Sequence, residues 1–299
     1  MNRFKELLDN KNIKYFCDRA VDLYSSFKIG GIAAVAVFPS TVQELCEVVF
    51  TAKRLDIKFE VIGNASNILF AFERYNGALI FTSEINSYSL DGKKLYAECG
   101  ASLVRMSNLA KENSLSGLEF ACGIPALVGG AIVMNAGANG SSMSEIVEYT
   151  DAFDLKLGER VRIYDNHYGY RKSIYLEDSS LICLGASMIL SDGDKNEIAE
   201  RMRQNSEKRK ASQPLSLPSA GSYFKRPEGD FAGRLIEECG LKGETVGGAQ
   251  VSPKHAGFIV NIGGASFYDV LALEEKIKER VMSRFGVMLC REVRLIEDR

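Results

Sequence analysis

The residues of this chain that could take part in chemistry lie in four separate segments. A polar turn, Gly-Asn-Ala-Ser-Asn at residues 63–67, follows an apolar run, and a glycine-rich stretch covers residues 117–140. A serine with small neighbours, Ser222, and two isolated charged residues, Arg171 and Glu292, complete the set. Each segment has a functional interpretation and an ordinary structural one.

The polar turn at residues 63–67 has the composition of an anion-binding turn. Glycine, serine and asparagine can direct backbone N–H groups and hydroxyls at phosphate oxygens. The same residue types also form turns that bind nothing. The segment lacks the spacing of the dinucleotide motif G-x-G-x-x-G. Phosphate binding and a plain turn are therefore both open from this segment alone.

The stretch at residues 117–140 holds six glycines in 24 residues, interleaved with apolar residues. Because glycine has no side chain, it adopts positive φ easily and lets the backbone approach a flat or charged ligand. Tight turns and close helix packing would require glycines too. The density favours a ligand cradle, and a set of tight turns stays open as the alternative.

Ser222 follows small residues that leave its hydroxyl accessible, and Lys225 and Arg226 supply positive charge nearby. A serine nucleophile needs an adjacent base, but G-x-S-x-G is absent and the chain has only two histidines. One of these, His255, is predicted to be a hydrogen-bonded structural histidine. A hydrolase is therefore disfavoured, and Ser222 is either a proton donor or a turn serine.

The charged residues near the carboxyl end have a specific spacing. In a strand over residues 290–296, Glu292 and Arg294 would share one face. Together with Arg171 they would either form surface ion pairs or bind a substrate carboxylate beside a proton-handling group.

Composition excludes several classes of protein. The 299 residues suggest about two domains, and 37 basic against 39 acidic residues give a net charge of −2. Such balance disfavours nucleic-acid binding and attraction to an anionic membrane surface.

No apolar stretch approaches a membrane span and no signal peptide is visible, which predicts a cytoplasmic protein. Seven scattered cysteines without a C-x-x-C pair predict reduced thiols and no metal site.

Hydrophobic spacing predicts a mixed α/β chain. Helices are expected over residues 41–55, 102–113, 195–210, 231–239 and 267–285. Strands are expected over residues 59–63, 77–82, 94–99, 146–153, 160–164, 181–190 and 290–296. The first helix and the two strands within residues 59–82 are expected to form a β-α-β unit. Thr41 and Glu44 occupy capping-box positions at the start of this helix. The last helix is expected to end at Gly286 and to direct an apolar face inward, formed by Val270, Leu271, Ile277, Val281 and Met282.

The collinear order of several short motifs resembles one known family. The motifs are Ser26-Phe-Lys-Ile-Gly-Gly31, Gly123-Ile-Pro125, Gly129-Gly-Ala131, Met134-Asn-Ala-Gly137, Tyr170-Arg171 with Ser173, Ala220-Gly-Ser222, Phe224-Lys-Arg-Pro227, Gly248-Ala-Gln-Val-Ser252, Lys254-His-Ala-Gly257 and Glu292-Val-Arg294. Each is weak alone, but in this order they resemble the UDP-N-acetylenolpyruvoylglucosamine reductases over nearly the whole chain.

The resemblance implies a fold and a domain organisation. The fold is α+β, with an FAD-binding region of the vanillyl-alcohol-oxidase (PCMH) type in two subdomains and then an α/β substrate-binding domain. The implied bounds are an N-terminal segment 1–27, an FAD region 28–192 (subdomains about 28–82 and 83–192) and a substrate domain 193–299. The short segment between Arg171 and the strand at 181 is similar to a compact subtype, which lacks a tyrosine-bearing loop.

The resemblance also implies a reaction. NADPH reduces FAD, and UDP-N-acetylglucosamine enolpyruvate is then reduced to UDP-N-acetylmuramate for peptidoglycan synthesis. The catalytic positions match Arg171, Ser222 and Glu292: Arg171 and Glu292 would stabilise charge on the substrate carboxylate, and Ser222 would protonate the carbon that bears it. The expected partner is this small molecule, with no nucleic acid, no membrane and a monomeric protein.

Binding residues follow from the same resemblance. Those matched to the cofactor are Gly63, Asn64, Ala65, Ser66, Asn67, Gly123, Ile124, Pro125, Gly129, Gly130, Asn135, Ala136 and Gly137. Those matched to the substrate are Tyr170, Lys210, Lys225, Arg226 and Arg294, of which Arg226 rests on charge alone.

Three positions depart from the family pattern. Ala65 replaces the second glycine of the polar turn, and Ala126 and Leu127 replace a Gly-Thr pair. If position 65 requires positive φ, alanine costs about 1 kcal/mol there and is expected to loosen FAD. Two alternatives stay open: another flavin oxidase of the same superfamily, or a homologue that kept the fold and lost the cofactor.

Overall fold

The computed structural model describes residues 1–298 and contains helices and strands throughout. The helices are α1 (Asn2–Asn10), α2 (Val42–Arg54), α3 (Leu103–Glu112), α4 (Val128–Val133), α5 (Ile174–Glu177), α6 (Lys195–Ser212), α7 (Ala232–Glu238) and α8 (Phe267–Phe285). In the described residues no helix combines the length and the apolar composition that crossing a bilayer requires.

The strands are mostly short. They are β1 (Lys14–Ala20), β2 (Ile32–Phe38), β3 (Phe59–Ile62), β4 (Ile68–Phe70), β5 (Arg74–Phe81), β6 (Tyr88–Asp91), β7 (Lys94–Glu98), β8 (Leu115–Ser116), β9 (Gly137–Ala138), β10 (Ser141–Ser142), β11 (Val147–Asp154), β12 (Glu159–Ile163), β13 (Leu181–Ile189), β14 (Ser191–Asp192), β15 (Ser219–Ser222), β16 (Thr245–Val246), β17 (Ala249–Val251), β18 (Phe258–Asn261) and β19 (Arg294–Ile296).

Contacts divide the chain into two compact units that each combine distant segments. Unit 1 comprises Met1–Cys17, Val35–Asn64 and Gly77–Lys208, and unit 2 comprises Asp18–Ala34, Ala65–Asn76 and Arg209–Arg299. This division follows packing rather than chain order. The domain bounds expected from the family, with a boundary near residue 193, stay a prediction.

Unit 1 contains two apolar cores. One lies against a five-stranded antiparallel sheet in the order β12-β11-β13-β7-β6, onto which α4 packs. The other lies around α2 and the parallel pair β3–β5, in which Phe59 pairs with Ala78. The predicted helix and both predicted strands are present, but α2 precedes β3 and β5 in the chain and does not connect this parallel pair. The polar turn at 63–67 follows β3 directly and therefore begins at the carboxyl end of this partly buried strand.

The start of α2 corrects one predicted detail. The Thr41 hydroxyl accepts the Glu44 N–H at 3.1 Å, as a capping box requires. The Glu44 carboxylate accepts from the Ser40 N–H at 2.7 Å instead of from Thr41. The helix is therefore capped through two neighbouring residues, and the reciprocal box predicted from Thr41 and Glu44 is wrong in its second half.

Unit 2 is built around α8, which packs with the sheet β15-β18-β17-β16 and with α7 over one apolar core. A capping box between Ser266 and Asp269 starts α8, and Gly286 ends it at φ +69°, as predicted. Met282 was expected to face inward, but it is 38% exposed. The helical period brings Leu273 and Glu274, which are buried, onto the inward face with Val270.

The strand expected over 290–296 is wrong in its first half. Only Arg294–Ile296 forms β19, which pairs in parallel with β4. Glu292 lies before the strand, where its N–H donates to the Tyr223 carbonyl at 2.9 Å. The sequence missed this because the pairing partner is far away along the chain.

One buried hydroxyl generates a stability prediction. In the described residues, the Tyr168 hydroxyl, between β12 and α5, is buried without a hydrogen-bond partner, and burial raises the pKa of Tyr168 far above its ordinary value. Because an unpaired buried hydroxyl costs about 1–3 kcal/mol, we expect Tyr168→Phe to raise the free energy of unfolding by about 1 kcal/mol in urea denaturation.

The matched control is Tyr175→Phe. The Tyr175 hydroxyl donates to the Thr150 hydroxyl at 2.7 Å, so its removal should lower the free energy of unfolding by about 1 kcal/mol. A loss of stability in Tyr168→Phe as large as that in Tyr175→Phe would contradict the prediction.

Candidate functional site

In unit 1 the structure brings the first two segments together. The Asn64 side-chain amide donates to the Pro125 carbonyl at 2.8 Å. A side chain at Gly63 would contact Leu127 at an ordinary 3.8 Å. The start of the polar turn therefore borders the segment of Gly123 and Ile124, which leads into α4.

The polar turn itself offers unpaired donors. Within residues 1–298, no protein acceptor takes a hydrogen bond from the backbone N–H groups of residues 63–67. Ala65 sits at φ +46°, so the backbone turns here as an anion-binding concavity does. Successive free N–H groups are the donors that phosphate oxygens accept from. The turn therefore fits a cofactor that carries a diphosphate.

The glycine-rich stretch serves packing as well as access. A Cβ at Gly129 would lie 2.8 Å from the Cys99 Cβ, so this glycine lets α4 approach β7. At Gly137 a Cβ would lie 2.7 Å from the Ser141 carbonyl, inside the β9–β10 hairpin. A Cβ at Gly130 would meet no described atom within 4 Å. Of these three glycines, Gly130 alone lies beside open space.

The Asn135 side chain is hydrogen-bonded to protein at both ends of its amide. Its side-chain amide donates to the Gly169 carbonyl at 2.9 Å and accepts the Ser144 N–H at 3.0 Å. Its own carbonyl accepts from Arg171 Nη1 at 3.5 Å. Both ends of the amide are thus engaged with protein, and the contacts hold the loop that carries Arg171. Ala136 follows it and donates its N–H to the Ala131 carbonyl of α4.

Arg171 is held in an unfavourable backbone conformation. Its φ is +53° and that of Asn135 is +42°. Non-glycine residues in this region cost of order 1–3 kcal/mol and are often found at functional sites. The Arg171 guanidinium lies 5.4 Å from the ring of Tyr170, which is largely exposed. The two residues matched to substrate and catalysis are therefore presented side by side.

Unit 2 brings Ser222 and Glu292 together. Ser222 is exposed at the end of β15. The following residue, Tyr223, accepts the Glu292 N–H, and the Lys225 N–H donates to the Cys290 carbonyl at 2.8 Å. The two segments therefore run antiparallel, and residues 70 positions apart become neighbours.

The second half of the polar turn joins this pair. The Asn67 carbonyl accepts the Arg294 N–H at 3.0 Å, and the Asn67 amide donates to the Glu292 carbonyl at 3.3 Å. The Ser26 hydroxyl lies 2.8 Å from the Ser219 carbonyl and 3.2 Å from the Ala65 carbonyl, and shares its proton between them. Ser66 lies inside this connected turn. Ser26 thus links the turn to the strand that ends at Ser222.

The remaining predicted binding residues have separate surroundings. Lys210 lies in the last turn of α6, and its carbonyl accepts from the Lys254 ammonium at 2.5 Å. The Arg226 guanidinium lies 4.8 Å from the ring of Phe231. His255 accepts the Gly257 N–H at 3.1 Å on Nδ1, and burial lowers its pKa, as a structural histidine requires.

Sequence reasoning missed Glu274, a fully buried carboxylate in α8. It accepts from the Tyr223 hydroxyl at 2.7 Å, from Arg291 at 2.7 and 2.8 Å, and from the Lys278 ammonium at 2.6 Å. Burial raises the pKa of Glu274, but the hydrogen bonds from these donors lower the pKa by more than burial raises it. The net shift is therefore downward from 4.5. Its contribution to stability is therefore present above that pH and is lost as the pH falls through the lowered pKa.

A signal for Glu274 existed in the sequence. Position 274 lies four residues after Val270 and three before Ile277, on the apolar face of the predicted helix. A charged residue at such a position needs partners, because an unpaired buried charge is very costly. Nothing along the chain indicated Tyr223 and Arg291 as those partners.

Two family models match the chain. The C-terminal domain of UDP-N-acetylenolpyruvoylglucosamine reductase matches residues 213–296, and an FAD binding domain matches residues 33–164.

Similar proteins share the first of these names. A UDP-N-acetylenolpyruvoylglucosamine reductase of Caldanaerobacter subterraneus subsp. tengcongensis is 41% identical over 302 residues, covering 100% of this chain and 98% of the relative. That of Clostridium beijerinckii is 40% identical over 297 residues, covering 98% and 96%. The crystal structure of the reductase from Thermus caldophilus superposes with a TM-score of 0.79 at 32% identity, over 95% of this chain and 98% of that one.

Ala65 generates a prediction about the cofactor turn. The positive φ expected for position 65 is present in the folded chain, so its cost lowers folding stability. We therefore expect Ala65→Gly to change the dissociation constant for FAD by less than about threefold, since 1.4 kcal/mol would be needed for tenfold.

The comparison variant is Ala65→Val, because a branched side chain at positive φ is more strained than alanine. It should lower the melting temperature, while Ala65→Gly leaves it nearly unchanged, because relief of strain offsets the added freedom of the unfolded glycine. Tenfold or tighter FAD binding by Ala65→Gly, measured by fluorescence titration, would show instead that alanine loosens the cofactor.

Proposed function

The chain belongs to the UDP-N-acetylenolpyruvoylglucosamine reductase family, and we propose from this premise how its own residues carry out the reduction. The protein is an FAD-containing oxidoreductase that uses NADPH to reduce UDP-N-acetylglucosamine enolpyruvate to UDP-N-acetylmuramate in peptidoglycan synthesis. The predicted family, fold class, enzyme class and cofactors are thereby confirmed. The observation that carries the proposal about residues is the hydrogen bond from the Glu292 N–H to the carbonyl of Tyr223, the residue after Ser222, beside Asn67 of the polar turn.

FAD is proposed to be held through its phosphates by the free N–H groups of residues 63–67. When bound, it supplies the hydride relay between NADPH and the terminal carbon of the enolpyruvyl group. Pro125 and Gly130 are proposed to border it, since Pro125 contacts the turn and Gly130 lies beside open space. Asn135 is proposed to act through the Arg171 loop instead of through direct contact.

Ser222 is proposed to donate the proton that completes the reduction. Hydride addition at the terminal carbon breaks the double bond and leaves its electron pair on the carbon that bears the carboxylate. The Ser222 hydroxyl then gives its proton to that carbon, so one hydride and one proton account for the two-electron reduction. An exposed hydroxyl at a strand end is accessible to such a substrate.

Arg171 and Glu292 are proposed to stabilise the charge that builds on the substrate carboxylate before protonation. A guanidinium supplies paired N–H donors that match two carboxylate oxygens. The unfavourable backbone conformation of Arg171 is present in the folded chain, so the residue is positioned in advance of the reaction. Glu292 lies beside the proton donor, where a carboxyl group can exchange hydrogen bonds with the same substrate group.

The nucleotide part of the substrate is proposed to be bound by positive and aromatic side chains. Lys225 and Arg226 directly follow the Ser222 strand, and Arg294 lies two residues beyond Glu292. Lys210 and Tyr170 complete the proposed set. The positive charges complement a diphosphate.

We further propose that the enzyme is cytoplasmic and monomeric. A domain boundary near residue 193 is also proposed, and the two family models support the boundary because they match residues on either side of it.

The test of this function is NADPH oxidation by the purified, FAD-loaded protein without oxygen. Steady turnover is expected only when UDP-N-acetylglucosamine enolpyruvate is present. Flavin reduction without turnover on this substrate would point to another substrate. No oxidation with added FAD would favour a homologue that has lost the activity.

Ser222→Ala separates the two half-reactions. It should abolish reduction of the substrate by the reduced enzyme, because the proton donor is missing, and leave flavin reduction by NADPH unchanged. Stopped-flow absorbance of the flavin measures both rates. Ser216 is an exposed serine in the loop before β15, and Ser216→Ala should change neither rate. Equal loss of both half-reactions, or loss of neither, would remove the proposed role of Ser222.

A further inference from the structure

A buried carboxylate connects the two segments that carry Ser222 and Glu292. Tyr223 directly follows Ser222, and Arg291 directly precedes Glu292. Both side chains reach the same group, Glu274 of α8, which accepts the Tyr223 hydroxyl at 2.7 Å and two Arg291 N–H groups at 2.7 and 2.8 Å. One carboxylate therefore holds a neighbour of each proposed catalytic residue.

The position of Glu274 is costly for the fold. Its side chain is fully buried in the core of unit 2. An apolar residue would pack at such a position without the desolvation of a charge, and replacing buried ion pairs by apolar residues is often neutral or stabilising. Core packing alone therefore does not require a carboxylate here.

The hydrogen-bond geometry suits precise placement. The Arg291 guanidinium is planar and meets the carboxylate with two parallel N–H donors, which fixes direction as well as distance. The Tyr223 ring packs against Phe224 and is almost completely buried, so its hydroxyl has little freedom. The Tyr223 carbonyl also accepts the Glu292 N–H. The segments are thus joined once through the backbone and once through Glu274.

We propose that Glu274 is a positioning residue, which sets the relative placement of Ser222 and Glu292 by binding Tyr223 and Arg291. The proposal rests on the proposed function, in which Ser222 and Glu292 act on one substrate. Loss of the charge at position 274 would release the side-chain connection and leave the backbone connection intact. The fold then persists, but the relative position of Ser222 and Glu292 is no longer fixed.

Glu274→Gln tests the proposal in the FAD-loaded enzyme. The amide keeps the shape of the side chain but can accept the two Arg291 donors only poorly. Reduction of the substrate by the reduced enzyme should slow by about tenfold or more, since misplacement by about 1 Å can cost a hundredfold. Flavin reduction by NADPH should stay within about twofold, because neither Ser222 nor Glu292 takes part in that half-reaction of the proposed function.

A second readout separates positioning from general damage. If the proton donor is misplaced, proton transfer becomes the slower step, so the solvent deuterium isotope effect on substrate reduction should rise in Glu274→Gln. Val281→Ala is the matched control, because Val281 is buried on the same helix and in the same core. If Val281→Ala lowers the melting temperature about as much as Glu274→Gln does, it should still leave the rates of both half-reactions and the isotope effect unchanged.

Tyr223→Phe covers the case in which Glu274→Gln fails to fold. It removes one hydroxyl and leaves Glu274 paired with Arg291 and Lys278. It should slow substrate reduction by about threefold or more, again with unchanged flavin reduction, since a small misplacement suffices.

The outcomes distinguish a failure of the positioning role of Glu274 from a failure of the proposed function. If Ser222→Ala abolishes substrate reduction while Glu274→Gln and Tyr223→Phe behave like Val281→Ala, the positioning role is overturned and the function stands. If Ser222→Ala has no effect, the proposed function fails first. Selective loss of substrate reduction in Glu274→Gln, with the raised isotope effect, supports the inference.

Discussion

Unit 2 depends on the requirement that a charge removed from water must be paired. Glu274 is fully buried, and the fold satisfies it with donors from Tyr223, Arg291 and Lys278. Two of these donors come from segments separated by 68 positions in the chain, so satisfying one carboxylate also fixes where those segments meet. Ser222 and Glu292 are adjacent to these donors, so this pairing and the backbone hydrogen bond from Glu292 to Tyr223 together bring them close. A core of aliphatic side chains would bury as much apolar surface without fixing this register.

A second constraint is backbone strain at the residues expected to handle ligands. Ala65, Asn135 and Arg171 each have positive φ, which non-glycine residues adopt only when their surroundings hold them there. In unit 1 the Asn135 amide supplies part of that support through Gly169 and Ser144. The strain is then a property of the folded chain that is present before any ligand arrives. Preorganisation of this kind is what a site for developing charge requires.

Glycines illustrate how one residue type serves different purposes. Gly129 is required because a side chain would collide with Cys99, whereas a side chain at Gly130 would meet nothing. The amino-acid composition alone left both a ligand cradle and tight packing open for the whole stretch, and the structure shows tight packing at Gly129 and open space at Gly130. Composition counts glycines, but only the surroundings of each one show whether it makes room for protein or for a ligand.

The sequence by itself determined the local elements and the family. Helical spacing predicted α2, α3, α6 and α8, and the order of short motifs indicated the reductase family, which full-length similarity confirms. These properties depend on residues close together in the chain, where periodicity and spacing act directly.

Tertiary structure decided the rest. The start of β19 two residues after Glu292, the exposure of Met282 and the partners of Glu274 all depend on contacts between distant segments. Such contacts leave no periodic trace, because each partner is chosen by packing and hydrogen bonding in three dimensions.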